Sequence, residues 1–306
     1  MGKDESRFRC APLQATDAII LATLALFTVL TLLFSQRIQG WGVLVLKNLA
    51  VGVAYVACQQ MAARVSSKPL KFVLRLVPVT LAYGYLFLAV DKLQLIVHGR
   101  FLDEVVMRAE EAVFGGQPTL WLEPFTKPAV TEWMMFAYLF YFPMYPILCA
   151  IIYFQHGEAA MEDCFVTLGL ANVLCDLGFI LFPVAGPMAA LGDRYTVPLH
   201  GYVFTWLGEW VRTSLQFPGG SIPSPHCAAA TVMWAMAYRY HRTAFWLLLP
   251  VVLSLYVSTF YGRFHYVSDA VLGIATAVVA SKLAPVLTRA WDRRKPAANG
   301  AGITRR

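Results

Sequence analysis

The stretch His265-Tyr-Val-Ser-Asp269-Ala-Val-Leu-Gly273-Ile-Ala-Thr-Ala277-Val-Val-Ala280-Ser-Lys-Leu-Ala284-Pro-Val-Leu287 decides how this chain is read. About twenty mostly apolar residues match the roughly 30 Å of hydrocarbon that a helix must cross in a bilayer. At its head a histidine and an aspartate are spaced i, i+4, one turn apart on one face of that helix. An ionisable group in such a setting costs about 2.5–3.5 kcal/mol or more, so its presence is by default a mark of function.

Working outward, the same pattern repeats. Apolar runs near 16–35, 41–62, 73–97, 130–153, 163–183, 226–241, 244–261 and 266–288 are long enough, or nearly so, to span. The chain is expected to be an all-α polytopic membrane protein with about eight transmembrane helices. The two runs between 226 and 261 are short, and a merged or re-entrant arrangement there would change the count. Composition agrees: 58% of the residues are hydrophobic, 14% are charged, and mean hydropathy is positive. A soluble core of this length would need a more charged coat. The net charge of +7 would suit nucleic acid, but the cations are scattered between apolar runs with no basic face, which sets that partner aside.

Positive loops stay on the cytoplasmic side of a membrane. Lys3, Arg7 and Arg9 precede the first run, Arg64, Lys68, Lys71 and Arg75 surround the turn after the second, Arg239 and Arg242 lie beside the sixth, and Arg289, Arg293 and Arg294 follow the last. With eight spans these share one side. Both termini are then cytoplasmic, and segments 98–129 and 184–225 and the turn 261–265 face outward with the motif histidines. The membrane would be a bacterial inner membrane or an endomembrane. The expected layout is a tail over 1–15, two added helices over 16–71, a membrane core over 72–288 and a disordered basic tail over 289–306. The first run is too long for a secretory signal and lacks a cleavage site; Met1–Ser6 fits a myristoylation pattern that would add little to eight spans. The six cysteines show no paired spacing and read as packing residues, neither a disulfide set nor a metal site.

Segment 101–114 has Phe101, Leu102, Val105, Val106, Ala109, Ala112 and Val113 at helical spacing, with acids on the other face. It is expected to lie along the outer membrane surface, the alternative being a soluble helix capping the bundle. Aromatic residues around 133–146 and 202–210 read as an interfacial belt, or for some of them as the lining of a lipid groove.

The chemistry begins at Ser221-Ile-Pro-Ser-Pro-His-Cys-Ala-Ala-Ala230. Ser224 suits a helix N-cap and Pro225 the first helical position. His226 then stands in a first turn, where free N–H groups and the helix dipole favour an anion such as phosphate. Below it Ala230 and Ala237 form a small-residue stripe, matched by Gly273 and Ala277 below His265. Such stripes let helices approach closely, so the two histidines are expected in one pocket at the outer rim. An aspartate beside a histidine can hold one ring nitrogen protonated and leave the other to attack, while a second histidine protonates a leaving oxygen. That chemistry needs no metal or cofactor for phosphoryl transfer, but the phosphate charge must be neutralised; Arg263, Arg194 and Arg212 are the candidates. Arg194 and Arg212 divide evenly between phosphate contact and solvated loop. Asp176, a lone acid in the fifth run, reads as packing or pairing, and His200 as exposed.

Pro223-Ser-Pro-His226 and Ser258-Thr-Phe-Tyr-Gly-Arg-Phe-His265-Tyr-Val-Ser-Asp269 resemble the Pro-Ser-Gly-His and Ser-Arg-x5-His-x3-Asp signatures of the type 2 phosphatidic acid phosphatase superfamily. The resemblance covers roughly 72–288 and implies a six-helix catalytic core there. It implies that His265 forms a phosphohistidine, Asp269 orients it and His226 serves the leaving group, with Ser224 and Tyr261 at the substrate. Tyr261, Tyr266 and Gly273 sit where many members carry similar residues. The departures are Thr259 in place of the signature arginine, and Phe182-Pro-Val-Ala-Gly-Pro187 in place of an upstream Lys-x6-Arg-Pro. These, with Val113-Phe-Gly-Gly-Gln-Pro-Thr-Leu-Trp121 and Glu132, look like the inositol phosphorylceramide synthase branch.

The resulting expectation is a metal-independent enzyme that moves a phospho-headgroup, phosphoinositol among them, from a membrane phospholipid to a lipid hydroxyl. Alternatives are a lipid phosphatase acting on phosphatidate or an isoprenyl phosphate with water as acceptor, a non-catalytic relative, and a haem carrier with both histidines as axial ligands.

Overall fold

The computed structural model describes residues 12–215 and 217–294. In chain order its helices are α1 (Ala15–Leu33), α2 (Trp41–Arg64), α3 (Lys68–Leu93), α4 (Asp103–Phe114), α5 (Pro118–Trp121), α6 (Pro128–Leu139), α7 (Tyr141–His156), α8 (Glu158–Leu181), α9 (Pro187–Ala190), α10 (Val203–Leu215), α11 (Pro225–Tyr240), α12 (Arg242–Tyr261) and α13 (Val267–Asp292). There is no strand among the described residues. The myristoylation pattern and most of both expected tails lie outside them. The described part of the C-terminal tail is an exception, because α13 continues through Asp292.

Every apolar run is helical. Six helices, α1, α2, α3, α8, α12 and α13, are long and apolar enough to cross a membrane. The fourth run is two helices, α6 and α7, bent by 44°. Pro143 lacks the N–H that would have bonded the Leu139 carbonyl, so the helix breaks at Phe140. The sixth run, α11, has 16 residues, about 24 Å of rise, short of a full bilayer core. Exposed apolar side chains such as Leu33, Val53, Leu81 and Leu247 cover the outside, as expected where the solvent is lipid.

Central α8 packs against α1, α3, α7, α11 and α13. The expected approach of α11 and α13 is present. Ala230, Ala237 and Ala277 are fully buried, and a Cβ on Gly273 would overlap the Ser224 carbonyl oxygen and lie 3.0 Å from Cys227 Cβ. Only glycine permits that contact.

Two peripheral helices shape the end of the bundle that holds the histidines. Of the expected stripe on α4 and just before it, Val105, Ala109, Ala112 and Val113 are exposed, Phe101 and Leu102 are half-buried, and Val106 is buried in a small core cluster, so the helix both caps the bundle and leaves an apolar strip on its outside. The acids, however, divide: Glu104 and Glu111 are exposed, whereas Asp103 and Glu110 are buried against the bundle. The other helix, α10, is a 13-residue amphipathic segment packed on α6; no apolar run announced it.

Candidate active site

Ser224 caps α11 with an extended backbone, its hydroxyl accepting from the Cys227 N–H at 3.4 Å. Pro225 follows at the first helical position, where no donor is lost. His226 is thereby fixed in the first turn. Its ring stacks on Tyr138 at 4.4 Å and meets Tyr141 at 4.9 Å, and Tyr138 stacks in turn on Phe264 at 4.2 Å. A porphyrin would have to displace these rings, so the site does not suit haem. The His265 ring lies across from His226 with centroids 5.9 Å apart.

His265 is 4% exposed and Asp269 fully buried. The His265 Nδ1 donates to the Ser221 carbonyl at 2.9 Å. A carbonyl can only accept, so Nδ1 carries a proton, and in the neutral ring the lone pair lies on Nε2. Asp269 Oδ2 is 3.6 Å from Nδ1, beyond a hydrogen bond, and instead accepts from Ser221 Oγ at 2.5 Å and the Tyr266 N–H at 3.0 Å. The aspartate therefore orients the imidazole mainly through Ser221, which touches both residues. The Ser224 N–H donates to the Asp269 carbonyl at 2.9 Å, tying the head of α11 to α13.

An outer wall holds this arrangement. Asp103 accepts from the N–H groups of Ala185 and Gly186, both at 2.9 Å, and from the Tyr266 hydroxyl at 3.1 Å. Gly186, at φ +103°, lies so close to Ser221 and the Phe264 carbonyl that a Cβ would be 3.1 Å from that oxygen. Glu110 accepts from the Ser268 N–H at 2.9 Å and its hydroxyl at 3.1 Å. Burial pushes the Glu110 carboxyl above the usual carboxylate range, the Ser268 donors hold it back, and nearby Asp269 adds to the upward push.

The sequence-derived residues do not all converge. His226, His265, Asp269 and Ser224 come together as expected. Arg263 is buried but turned away: its backbone is left-handed at φ +64°, its guanidinium stacks over Tyr195 at 4.0 Å, and it donates to the Val197 carbonyl and reaches Glu123 at 3.5 Å. Tyr261 shares a 2.7 Å hydrogen bond with Thr131 of α6. Arg194 is exposed on a short 3-10 turn, the solvated-loop alternative. Arg212 pairs with Glu209 on α10 and, with exposed His200, lines a cavity of about 270 Å³ beyond Phe264. Thr259 is enclosed, its hydroxyl donating to the Tyr256 carbonyl at 2.8 Å. Ser221, Asp103, Glu110 and Tyr138 are the site residues that the sequence did not single out.

A model of the PAP2 superfamily matches residues 105–283, from α4 into α13, both motifs included. The chain belongs to the PAP2 superfamily. No curated protein and no solved structure gives a significant match. Membership and the apolar helices make this an integral membrane protein of the lipid phosphatase and phosphotransferase class.

Proposed function

We propose that this PAP2 enzyme transfers a phospho-headgroup, phosphoinositol being the leading candidate, from a phospholipid to the hydroxyl of a second lipid such as ceramide or diacylglycerol. Residues 72–288 form the catalytic core, and the site opens on the non-cytoplasmic face with both termini cytoplasmic, a reading that rests on the distribution of basic residues.

The observation that carries the proposal is His265: Nδ1 bound to a carbonyl, Asp269 and Ser221 behind it, and a second imidazole 5.9 Å across. Its Nε2 attacks phosphorus, the phosphorus–oxygen bond to the diacylglycerol breaks, and a protonated His226 gives the departing oxygen its proton. The acceptor hydroxyl then yields its proton to His226, its oxygen attacks phosphorus, and the phosphorus–nitrogen bond breaks.

Transfer is favoured over monoester hydrolysis by charge. A phosphate monoester carries about two negative charges at neutral pH and a diester one. Here Thr259 replaces the usual arginine, and Arg263 is engaged by Glu123 and the Val197 carbonyl. A site with that little cation suits the diester.

Purified protein given phosphatidylinositol and ceramide should yield a new phospholipid, detected by mass spectrometry, and His265→Ala should yield none. Release of inorganic phosphate and diacylglycerol from phosphatidate, with no new phospholipid formed, would make the enzyme a hydrolase instead. Full activity in His265→Ala would end the phosphohistidine mechanism.

A further inference from the structure

The cavity beyond Phe264 takes no part in the transfer chemistry. Its volume of about 270 Å³ lies near the lower bound of about 300 Å³ for small-molecule pockets, a size for a single ring. Its walls come from five parts of the chain: α6, α9, the segment 199–202, α10 and the turn before His265. Neither motif histidine is in the lining, but Phe264 in its wall stacks on Tyr138, and Tyr138 on His226. The cavity is thus a neighbour of the reacting centre, whichever acceptor that centre uses.

The α10 wall is fixed before any ligand arrives. Glu132 of α6 accepts from the N–H groups of Tyr202, Phe204 and Thr205 at 2.7, 2.7 and 3.0 Å and from the Thr205 hydroxyl at 2.9 Å. Farther along α10, a Cβ on Gly208 would be 3.0 Å from Met135 Sδ, and Val211 is buried with Tyr138 and Leu139. A wall held this way loses little freedom on binding.

The lining has an apolar part, with Trp206, Phe264 and Met135, and a polar part, with Arg212, Glu209 and His200. Trp206 is 68% exposed. An indole at the membrane interface needs no cavity, yet of the two exposed indoles of α10 only Trp206 lines one, beside a fixed ion pair. In that pair Arg212 Nε donates to Glu209 Oε2 at 2.9 Å and a terminal nitrogen donates to Oε1. The two charges cancel, which leaves no net attraction for a phosphate or an ammonium group. Further N–H donors on the guanidinium and lone pairs on the carboxylate stay open to a ligand, next to the His200 imidazole. A ring bearing several hydroxyls donates and accepts at neighbouring positions, and its C–H face suits the electron-rich face of an indole.

We infer that this cavity binds an uncharged polyhydroxy ring, the head of a membrane lipid or a free polyol, against Trp206 and the Arg212–Glu209 pair.

The test is a titration of the purified full-length protein, in a detergent without a sugar head, with myo-inositol, choline and inorganic phosphate, read by tryptophan fluorescence. myo-Inositol should give a saturable change, and Trp206→Phe, at an exposed position, should remove it. Arg212→Lys keeps the charge but not the planar fork and should weaken binding about tenfold, with the unfolding temperature unchanged because a partly exposed pair adds little stability. Turnover with phosphatidylinositol as donor separates the two sources. If the cavity holds the lipid head, myo-inositol should raise the donor KM and leave kcat unchanged; a constant donor KM with binding retained assigns the cavity to a free polyol. No saturable change with myo-inositol, or the same change in Trp206→Phe, overturns the assignment, as does tighter binding of choline or phosphate. Binding of myo-inositol by a protein that forms no new phospholipid would overturn the transferase reading alone.

Discussion

At one end of the bundle the Arg75 guanidinium is surrounded by acceptors, while at the other His226 is surrounded by rings. Arg75 donates to Asp17 at 3.2 Å, Glu162 at 3.0 Å, Gln59 at 2.6 Å and Gln14 at 2.9 Å. Tyr55 donates to Asp17 at 2.6 Å, and Lys71 pairs with Glu158 at 2.5 Å. Each charge there touches an opposite one, and the side chains come from α1, α2, α3 and α8. Around the histidines the charges are not closed in this way. His226 Nδ1 and Asp269 Oδ1 are enclosed without a hydrogen-bond partner, and Asp269 reaches His265 chiefly through Ser221. Arg75 Nε and Gln59 Nε2 are also enclosed without a partner, so the difference lies in charge: the Arg75 network is neutralised by opposite charges and joins helices, whereas the unpaired groups around the histidines keep capacity for a ligand and a proton.

That difference should separate stability from turnover. His265→Ala should lower activity about 10⁴-fold or more while costing only about 1–2 kcal/mol of stability for the lost Ser221 contact. Arg75→Met should do the reverse, leaving Asp17 and Glu162 uncompensated at a cost of about 3–5 kcal/mol, with near-normal kcat for the protein that remains folded. Thermal unfolding in detergent and turnover per folded molecule decide it. An inactive but stable Arg75→Met protein would mean that the two ends are coupled.

Within the catalytic end, Ser221→Ala sharpens the contrast. It removes the 2.5 Å bond to Asp269 and keeps the carbonyl that accepts from His265. A hydrogen bond to a charged group is worth about 1.5–3 kcal/mol, so kcat should fall about 10- to 100-fold with little change in donor KM. Unchanged kcat would return the orienting role to Asp269 alone. A smaller effect, about 1–3 kcal/mol from overpacking, is expected for Gly273→Ala, which pushes the head of α11 from α13. Activity should fall with stability there, and an effect on neither would show that the helices can separate freely.

The helices were legible because span length and apolar periodicity are local properties, and each run found its helix within a few residues. The convergence of His226, His265 and Asp269 was legible for a similar reason, since two small-residue stripes can pack in few ways. The break at Phe140 had a signal in Pro143, obscured by the apolar continuity around it. Helix α10 alternates Val203, Trp206, Leu207, Trp210 and Val211 at helical spacing, but in a stretch too short to read as a span. Ser221, Asp103 and Glu110 gave no such signal, because their partners stand 44 to 163 positions away. Arg263 shows the opposite failure: it is two residues from His265, yet a left-handed turn aims it at Tyr195.

The smallest expected effect concerns Glu110, an acid read as part of a solvated face and found buried on Ser268. Its folded carboxyl titrates above the usual range, so the folded state holds a proton that the unfolded chain has already lost. The stability it contributes is therefore full at acidic pH, below the unfolded value, and is lost as pH rises through the folded one. Glu110→Gln keeps an oxygen for Ser268 and cannot ionise. The difference in melting temperature between wild type and Glu110→Gln should favour the wild type most at acidic pH and shrink toward neutrality. A difference that grows with pH would reverse the sign of the shift, and would place Glu110 with the neutralised acids at the Arg75 end.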